Sequence, residues 1–275
     1  MKTILVPTDF SHVAENAINY AAEIAKVAGA QIILFHAFHI PVITNDVPVM
    51  LPNIDDLEKN CLEGLGRIER RLHLQHGKKL TVKCVCKCGF AVDEIDSYAL
   101  SHKVDLIVMG MQGAGYLAEK LVGSVTTALI NRSKCPVLAI DKEVKYRSIK
   151  KIVLACDHLD PQDKEQLDPL KAFVKLFSSH VYVLNVIQEL APSAAGAGAI
   201  GEAKEIEPLL ENVEHTFHHI QSDEVVEGIN DFVIERKMDM VAMIPRKHSL
   251  FSKIFNEPNT KKMAFHSKVP LLALH

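Results

Sequence analysis

The sequence predicts an α/β protein of two tandem domains, each a five-stranded parallel sheet with helices on both faces. Three observations carry that prediction. Strand-sized apolar runs alternate with segments whose apolar residues follow the helical period. The order of elements then starts again near residue 150, so the chain is an internal repeat. From Leu106–Ile140 to Met240–Leu274 the two halves align without a gap.

The bulk properties agree. The chain has 275 residues, 48% hydrophobic and 24% charged, which suits soluble globular domains, each long enough to bury a core. A net charge of -3 without a basic block argues against nucleic acid as a partner. The longest apolar runs are strand-sized, which argues against a membrane span. The opening MKTILVPTDF reads as a first strand and not as a signal peptide, because Pro7 and Asp9 break its apolar run. Six cysteines in such a chain are expected to be reduced thiols in a cytoplasm.

In order, Lys2–Thr8 is the first strand, and Ser11 is the N-cap of a helix over His12–Ala28. Ala14, Ala17, Ile18, Ala21, Ile24, Ala25 and Ala28 form its apolar face, and Gly29 stops it. Gln31–Ala37 is a buried strand. Phe38–Asn53, with three prolines, is a loop. A long amphipathic helix runs from Asp55 to about His76, a strand over Leu80–Lys87, and a helix over Phe90–His102. Leu106–Met109 is the fourth strand. Gly110, Gly113 and Gly115 follow it, then Gly123-Ser124-Val125-Thr126 opens a helix to Arg132, and Pro136–Ile140 is the fifth strand.

A charged stretch, Glu143–Lys150, leads into the second half. Lys151–Asp157 echoes Lys2–Asp9, with Asp157 in the place of Asp9. Asp163–Phe177 is helix-like, and His180–Ile187 echoes Gln31–Phe38. Ala191–Gly201 is a small-residue loop. The stretch Glu202–Asp223 reads as a short helix and then a strand near His215–Gln221, followed by a helix over Glu224–Lys237. Asp239–Ile244 echoes Asp105–Gly110, and Val269–Leu274 echoes Cys135–Ile140. The domains divide at 1–145 and 146–275.

The glycine stretch is the chemically loaded part. Glycines let backbone N–H groups approach an anion without a Cβ in the way. A helix's first turn adds unpaired N–H groups and about half a positive charge. The repeat shows where this is kept: Gly110, Gly113, Gly123 and Ser124 fall opposite Ile244, Lys247, Glu257 and Pro258. Glu257 sets a carboxylate where the first half would take a phosphate, and Pro258 removes an N–H donor. The second domain is therefore expected to be degenerate and to lack the site.

Gly110-x2-Gly113-x9-Gly123-Ser124 between the fourth and fifth strands resembles the ATP-binding motif of the universal stress protein family. ILVPTDFS, QIILFHA and KCPVLAI support the resemblance, which covers the chain as two tandem domains. It implies a Rossmann-like (adenine nucleotide alpha hydrolase-like) fold of strand order 3-2-1-4-5. It also implies a pseudo-dimer of the two halves, joined partly through the fifth strands at Pro136-Val137-Leu138 and Pro270-Leu271-Leu272, and leaves a further homodimer open. In such a sheet the crevice lies where the strand order reverses, here between strands one and four. The resemblance places Pro7, Thr8, Asp9 and the backbone of Ala37 against the nucleoside. Met109, Gly110 and Gly113 would line the crevice, and Gly123, Ser124, Val125 and Thr126 would contact phosphates. The nucleotide is ATP, with ADP or AMP as alternatives, and Asp9 would help to hold Mg²⁺ or Mn²⁺ on the phosphates.

Other residues carry blander readings. Asp9 also suits a strand-ending turn, as does Asp157, and Gly115 fits a turn. Cys84, Cys86 and Cys88 alternate on one strand about 6.7 Å apart. Thiolates sharing a zinc must lie about 3.7 Å apart, so these three read as core cysteines. His36 reads as structural, and His215, His218 and His219 as non-ligands. Arg246-Lys247-His248 and Lys261-Lys262 read as solvated surface. No nucleophile–base–acid arrangement, P-loop lysine or zinc-protease motif appears. The reading is therefore a nucleotide-dependent stress-response switch with no catalytic residues. The alternatives are a slow ATPase or self-phosphorylating protein, with Ser124 or Thr126 as acceptor, and a nucleotide-independent interaction protein.

Overall fold

The computed structural model describes residues 1–40, 53–111, 123–155, 164–187, 207–245 and 269–275. The first half runs β1 (Thr3–Pro7), α1 (His12–Ala28), β2 (Gln31–Phe38), α2 (Ile54–His76), β3 (Val82–Cys88), α3 (Ala91–Ser101), β4 (Leu106–Gly110), α4 (Ser124–Arg132) and β5 (Val137–Ile140). The second runs β6 (Lys151–Ala155), α5 (Asp168–Phe177), β7 (His180–Ile187), β8 (His215–Gln221), α6 (Val225–Arg236), β9 (Met240–Met243) and β10 (Leu271–Ala273).

All ten strands form one sheet, in the order β3-β2-β1-β4-β5-β10-β9-β6-β7-β8. Each half has the expected order 3-2-1-4-5 with parallel neighbours. The halves meet antiparallel at their fifth strands, with Leu271 opposite Ala139, Leu272 opposite Leu138 and Ala273 opposite Val137. The repeat holds in register: Ile4 pairs with Leu106 as Ile152 pairs with Met240.

The central strands are apolar runs because both faces are covered. Along one face pack Ile18 and Ile24 of α1, Leu65 and Leu72 of α2, and Leu170 and Phe173 of α5. Along the other pack Ile95 of α3, Leu129 and Ile130 of α4, and Ile229 and Phe232 of α6. The outer strands β3 and β8 bury far less of their length, as suits sheet edges. Helix α1 has the expected ends: the Ser11 side chain accepts from Ala14 N–H, and Gly29 takes the left-handed conformation at φ 64°.

Several expectations need correction. The helix expected over Asp163–Phe177 begins at Asp168, where Pro169 sets its first turn. The short helix expected after Glu202 is a 3-10 turn, Glu207–Leu210. The charged stretch between the halves, of which nothing beyond its charge was expected from the sequence, turns its apolar residues inward. Val144 and Ile149 are buried, and Tyr146 meets Tyr20 edge-on at 5.2 Å. The Asn16 amide donates to the carbonyls of Asp141 and Val144, each at 2.8 Å.

A matched pair of aspartates clasps the start of each half. Asp105 Oδ2 accepts the N–H groups of Lys2 (2.6 Å) and Thr3 (2.8 Å). Asp239 Oδ2 accepts those of Lys150 and Lys151, both at 2.9 Å. Asp239 Oδ1 also meets Arg147 Nε at 2.8 Å.

Candidate functional site

The crevice lies at the carboxyl ends of β1 and β4, which pair side by side. Helix α1 leaves β1 towards one face, and α4 packs on the other. This divergence is the switch point at which open α/β sheets bind ligands.

The β1 end is tightly built. Pro7 and Thr8 are buried, and Thr8 N–H donates to the Phe35 carbonyl at 2.8 Å. The chain then turns sharply: Phe10 takes a left-handed φ of 63°, and its N–H donates to Thr8 Oγ1 at 3.0 Å. Asp9 is exposed, and its Oδ1 accepts Ser11 N–H at 3.0 Å, so Asp9 serves the turn that leads into α1. His36 lies beside this turn. Its Nδ1 is 2.7 Å from the Thr8 carbonyl, which only accepts, so that nitrogen carries the proton. Phe10 stands 46% exposed against the His36 ring, centroids 4.7 Å apart. Further out, Phe90 stacks on His39 at 6.1 Å. The sequence reading passed over Phe10 and Phe90; the usable signal was an aromatic placed directly after a strand-ending turn or before a helix.

The β4 side holds the described part of the expected anion cradle. Met109 is buried, and Gly110 and Ala37 are half-buried. Gly123 is the N-cap of α4, without a side-chain cap, and its N–H donates to the Met111 carbonyl at 2.7 Å. The N–H groups of the first turn, Ser124 to Thr126, have no carbonyl four residues back within the helix. Ser124 is exposed and Val125 half-buried. Thr126 is buried, and its hydroxyl donates to the Gly110 carbonyl at 2.8 Å, which ties α4 to the end of β4. That hydroxyl's proton is therefore directed at β4. Gly113, Gly115, Asp157, Arg246-Lys247-His248, Glu257, Pro258 and Lys261-Lys262 lie outside the described residues.

The cysteines differ from expectation. Cys61 of α2 and Cys86 of β3 form a disulfide with Cα atoms 6.4 Å apart, so a set of purely reduced thiols is ruled out. Cys84 and Cys86 are half-buried and pack against the core, while Cys88 is exposed, so the expected core role holds in part for two of the three and fails for Cys88. The cause is the edge position of β3, one face of which is only partly covered by α2. Cys135 is buried, its thiol donates to the Val104 carbonyl at 3.3 Å, and burial pushes its pKa up to about 12. The histidines of β8 are scattered as a strand requires: His215 and His219 share a face and His218 takes the other. His218 stacks on Tyr182, and burial followed by the Arg236 charge lowers its pKa. Among the described residues no group of three or more His, Cys, Asp or Glu is placed to hold a metal, and no helix is long and apolar enough to cross a membrane.

Comparison with known proteins fits this architecture. A universal stress protein of Methanocaldococcus jannaschii is 30% identical over 155 residues, covering 52% of this chain and 96% of its own. One from Synechocystis is 31% identical over 140 residues, covering 50% and 85%. A crystal structure of a universal stress protein from Archaeoglobus fulgidus superposes with a TM-score of 0.72, covering 98% of this chain and 97% of its own at 18% identity, which speaks for the fold. The profile of the universal stress protein family matches residues 1–141 and 148–275. With both halves matched in turn, the chain belongs to the universal stress protein family as a tandem of two such domains.

Proposed function

We propose that the protein binds one adenine nucleotide, ATP with ADP or AMP as alternatives, in its first half and acts as a nucleotide-dependent stress-response switch in the cytoplasm. The observation that carries the proposal is the start of α4. A glycine N-cap leaves the first turn uncapped by any side chain, directly beside the end of β4. Phosphates would rest on the N–H groups of Ser124, Val125 and Thr126, with Gly113 and Gly123 giving close access. The nucleoside would lie against Pro7, Thr8, Asp9 and Ala37, with Met109 and Gly110 lining the crevice, and the exposed Phe10 ring offers its base a face. Asp9 would bind Mg²⁺ or Mn²⁺ only together with phosphate oxygens and water. The second half, with Glu257 and Pro258 at the matching positions, would leave the cradle out.

Gly123→Glu tests the site. Gly123 has φ -64° and ψ 146°, which any residue adopts, so the fold should tolerate the change. A carboxylate about 5 Å from a phosphate costs about 1 kcal/mol per unit charge at the dielectric of water and about 3 kcal/mol at a protein surface. ATP affinity by calorimetry should fall at least about fivefold, while the melting temperature stays put, because an acidic group at a helix N-terminus is favourable. Equal affinity in both proteins would remove the assignment. A wild-type protein with no thermal shift in ATP would favour a nucleotide-independent interaction protein.

Self-phosphorylation is a second reading, favoured by the exposed Ser124 hydroxyl on the same turn. Incubation with γ-labelled ATP should then label Ser124 and spare the buried, hydrogen-bonded Thr126.

A further inference from the structure

We infer that the Cys61–Cys86 pair is a thiol–disulfide site, opened by a small dithiol or a dithiol protein, which sets the position of α2 against the nucleotide crevice. Its effect on ligand rests on the nucleotide reading above; the site itself does not.

Two independent routes lead from the disulfide to one aromatic ring. Cys86 lies opposite His36 in the β2–β3 register, and His36 packs on Phe10. Cys61 is one helical turn before Gly64, and Gly64 is where α2 meets Phe10: a Cβ there would stand 3.0 Å from the ring. Phe10 thus sits between the helix that carries one sulfur and the strand level that carries the other. The same ring follows directly on Thr8 and Asp9.

The surroundings suit exchange. Cys61 is 7% exposed, whereas Cys86 is half-buried on an edge strand, so an incoming thiolate reaches Cys86 Sγ. Attack there forms a mixed disulfide and expels Cys61 as a thiolate, which takes up a proton. The reductant's second thiol then attacks its own sulfur of the mixed disulfide and releases Cys86 as a thiolate, which is also protonated. Two electrons and two protons pass from the dithiol to the protein, and the dithiol leaves as a disulfide. Cys84 shares the strand face, but burial and the neighbouring Glu69 push its pKa up to about 11, so it stays a thiol and does not compete. In a reducing cytoplasm a disulfide is a switched bond more often than a permanent staple.

Without the covalent tie, α2 keeps its buried Leu65 and Leu72 and its Arg71–Glu15 ion pair, so the fold survives reduction while the half of α2 before Gly64, which carries Cys61, is freed.

The test uses the full wild-type chain, equilibrated in reduced or in oxidised dithiothreitol. Alkylation and peptide mapping should find Cys61 joined to Cys86 only in the oxidised sample. Amide exchange over residues 54–76 should be slower in that sample, and ATP affinity should differ about fivefold or more between the two. A Cys61→Ser/Cys86→Ser protein should match the reduced sample under both conditions. Full alkylation of Cys61 and Cys86 after oxidation overturns the inference, as does identical exchange in both states. If neither state binds ATP, the nucleotide reading fails, and exchange over 54–76 alone decides the thiol–disulfide site. If both bind ATP equally, the coupling to the crevice is refuted.

Discussion

The paired clasps at Asp105 and Asp239 offer an experiment with a built-in control, because the fold makes the same contact twice in unequal surroundings. Replacing Asp239 by Ala removes the acceptor of two backbone N–H groups and the partner of Arg147. Hydrogen bonds to a charged group contribute about 1.5–3 kcal/mol when buried and nearer 1 kcal/mol where water can replace them. Lys150 is exposed, which favours the lower figure, and Asp239's side chain is 13% exposed, which favours the higher. Two such bonds, with at most about 1 kcal/mol for a half-exposed ion pair, give a loss of about 3 kcal/mol. Asp105→Ala removes two bonds from an exposed carboxylate and should cost about 2 kcal/mol. For a chain of this size each kcal/mol moves the melting temperature by about 2–4 °C. Urea midpoints followed by circular dichroism would rank the two variants, and amide exchange at Lys2, Thr3, Lys150 and Lys151 would localise each loss. If Asp105→Ala costs as much as Asp239→Ala, burial and Arg147 contribute nothing, and the account of the clasp is wrong.

Two further outcomes follow from local packing and titration. Gly228→Ala in α6 should destabilise although Ala is the better helix former. Its Cβ would stand 2.9 Å from Ser222 Cβ and 3.2 Å from Ile220 Cδ1 and Val186 Cγ1. Overpacking costs about 1–3 kcal/mol against about 1 kcal/mol of propensity, so a raised melting temperature would contradict the geometry. Burial pushes the pKa of His275 down to about 4 from 6.5. The unfolded imidazole therefore gains a proton below pH 6.5 while the folded one stays neutral. That contribution is complete above pH 6.5 and is lost as pH falls towards about 4. The urea midpoint of the wild type should drop more than that of His275→Gln across this window, and parallel curves would refute the assignment.

The fold was legible because its evidence is periodic. A strand buried on both faces must be an apolar run, and β1, β4 and β5 are such runs; α1 announced both its caps. The seam itself came from the family resemblance, and the repeated pattern, Pro-Val-Leu-Ala-Ile against Pro-Leu-Leu-Ala-Leu, located its two strands. The disulfide was not. Testing Cys84, Cys86 and Cys88 against a shared metal compared residues within one strand, whereas the partner of Cys86 lies 25 residues away on α2. The signal available was that Cys61, Gly64, Leu65 and Leu72 share α2's buried stripe, the stripe that must face β3 once the chain crosses over. In the joint, Glu143–Lys150, charges dominate the composition, but Val144, Tyr146 and Ile149 decide where it goes, and three apolar residues among four charged ones have no period to read.

The antiparallel seam bears on what each half does for the other in the fold. A parallel sheet ending at β5 would offer a free edge of four fully buried residues, Val137 to Ile140, and such an edge pairs with whatever strand it meets. Here β10 covers it, and β5 covers β10 in return. The apolar residues on both faces continue across that joint, so neither half has a complete core boundary of its own. The requirement on the second half is thus met by β9, β10 and the helices beneath them.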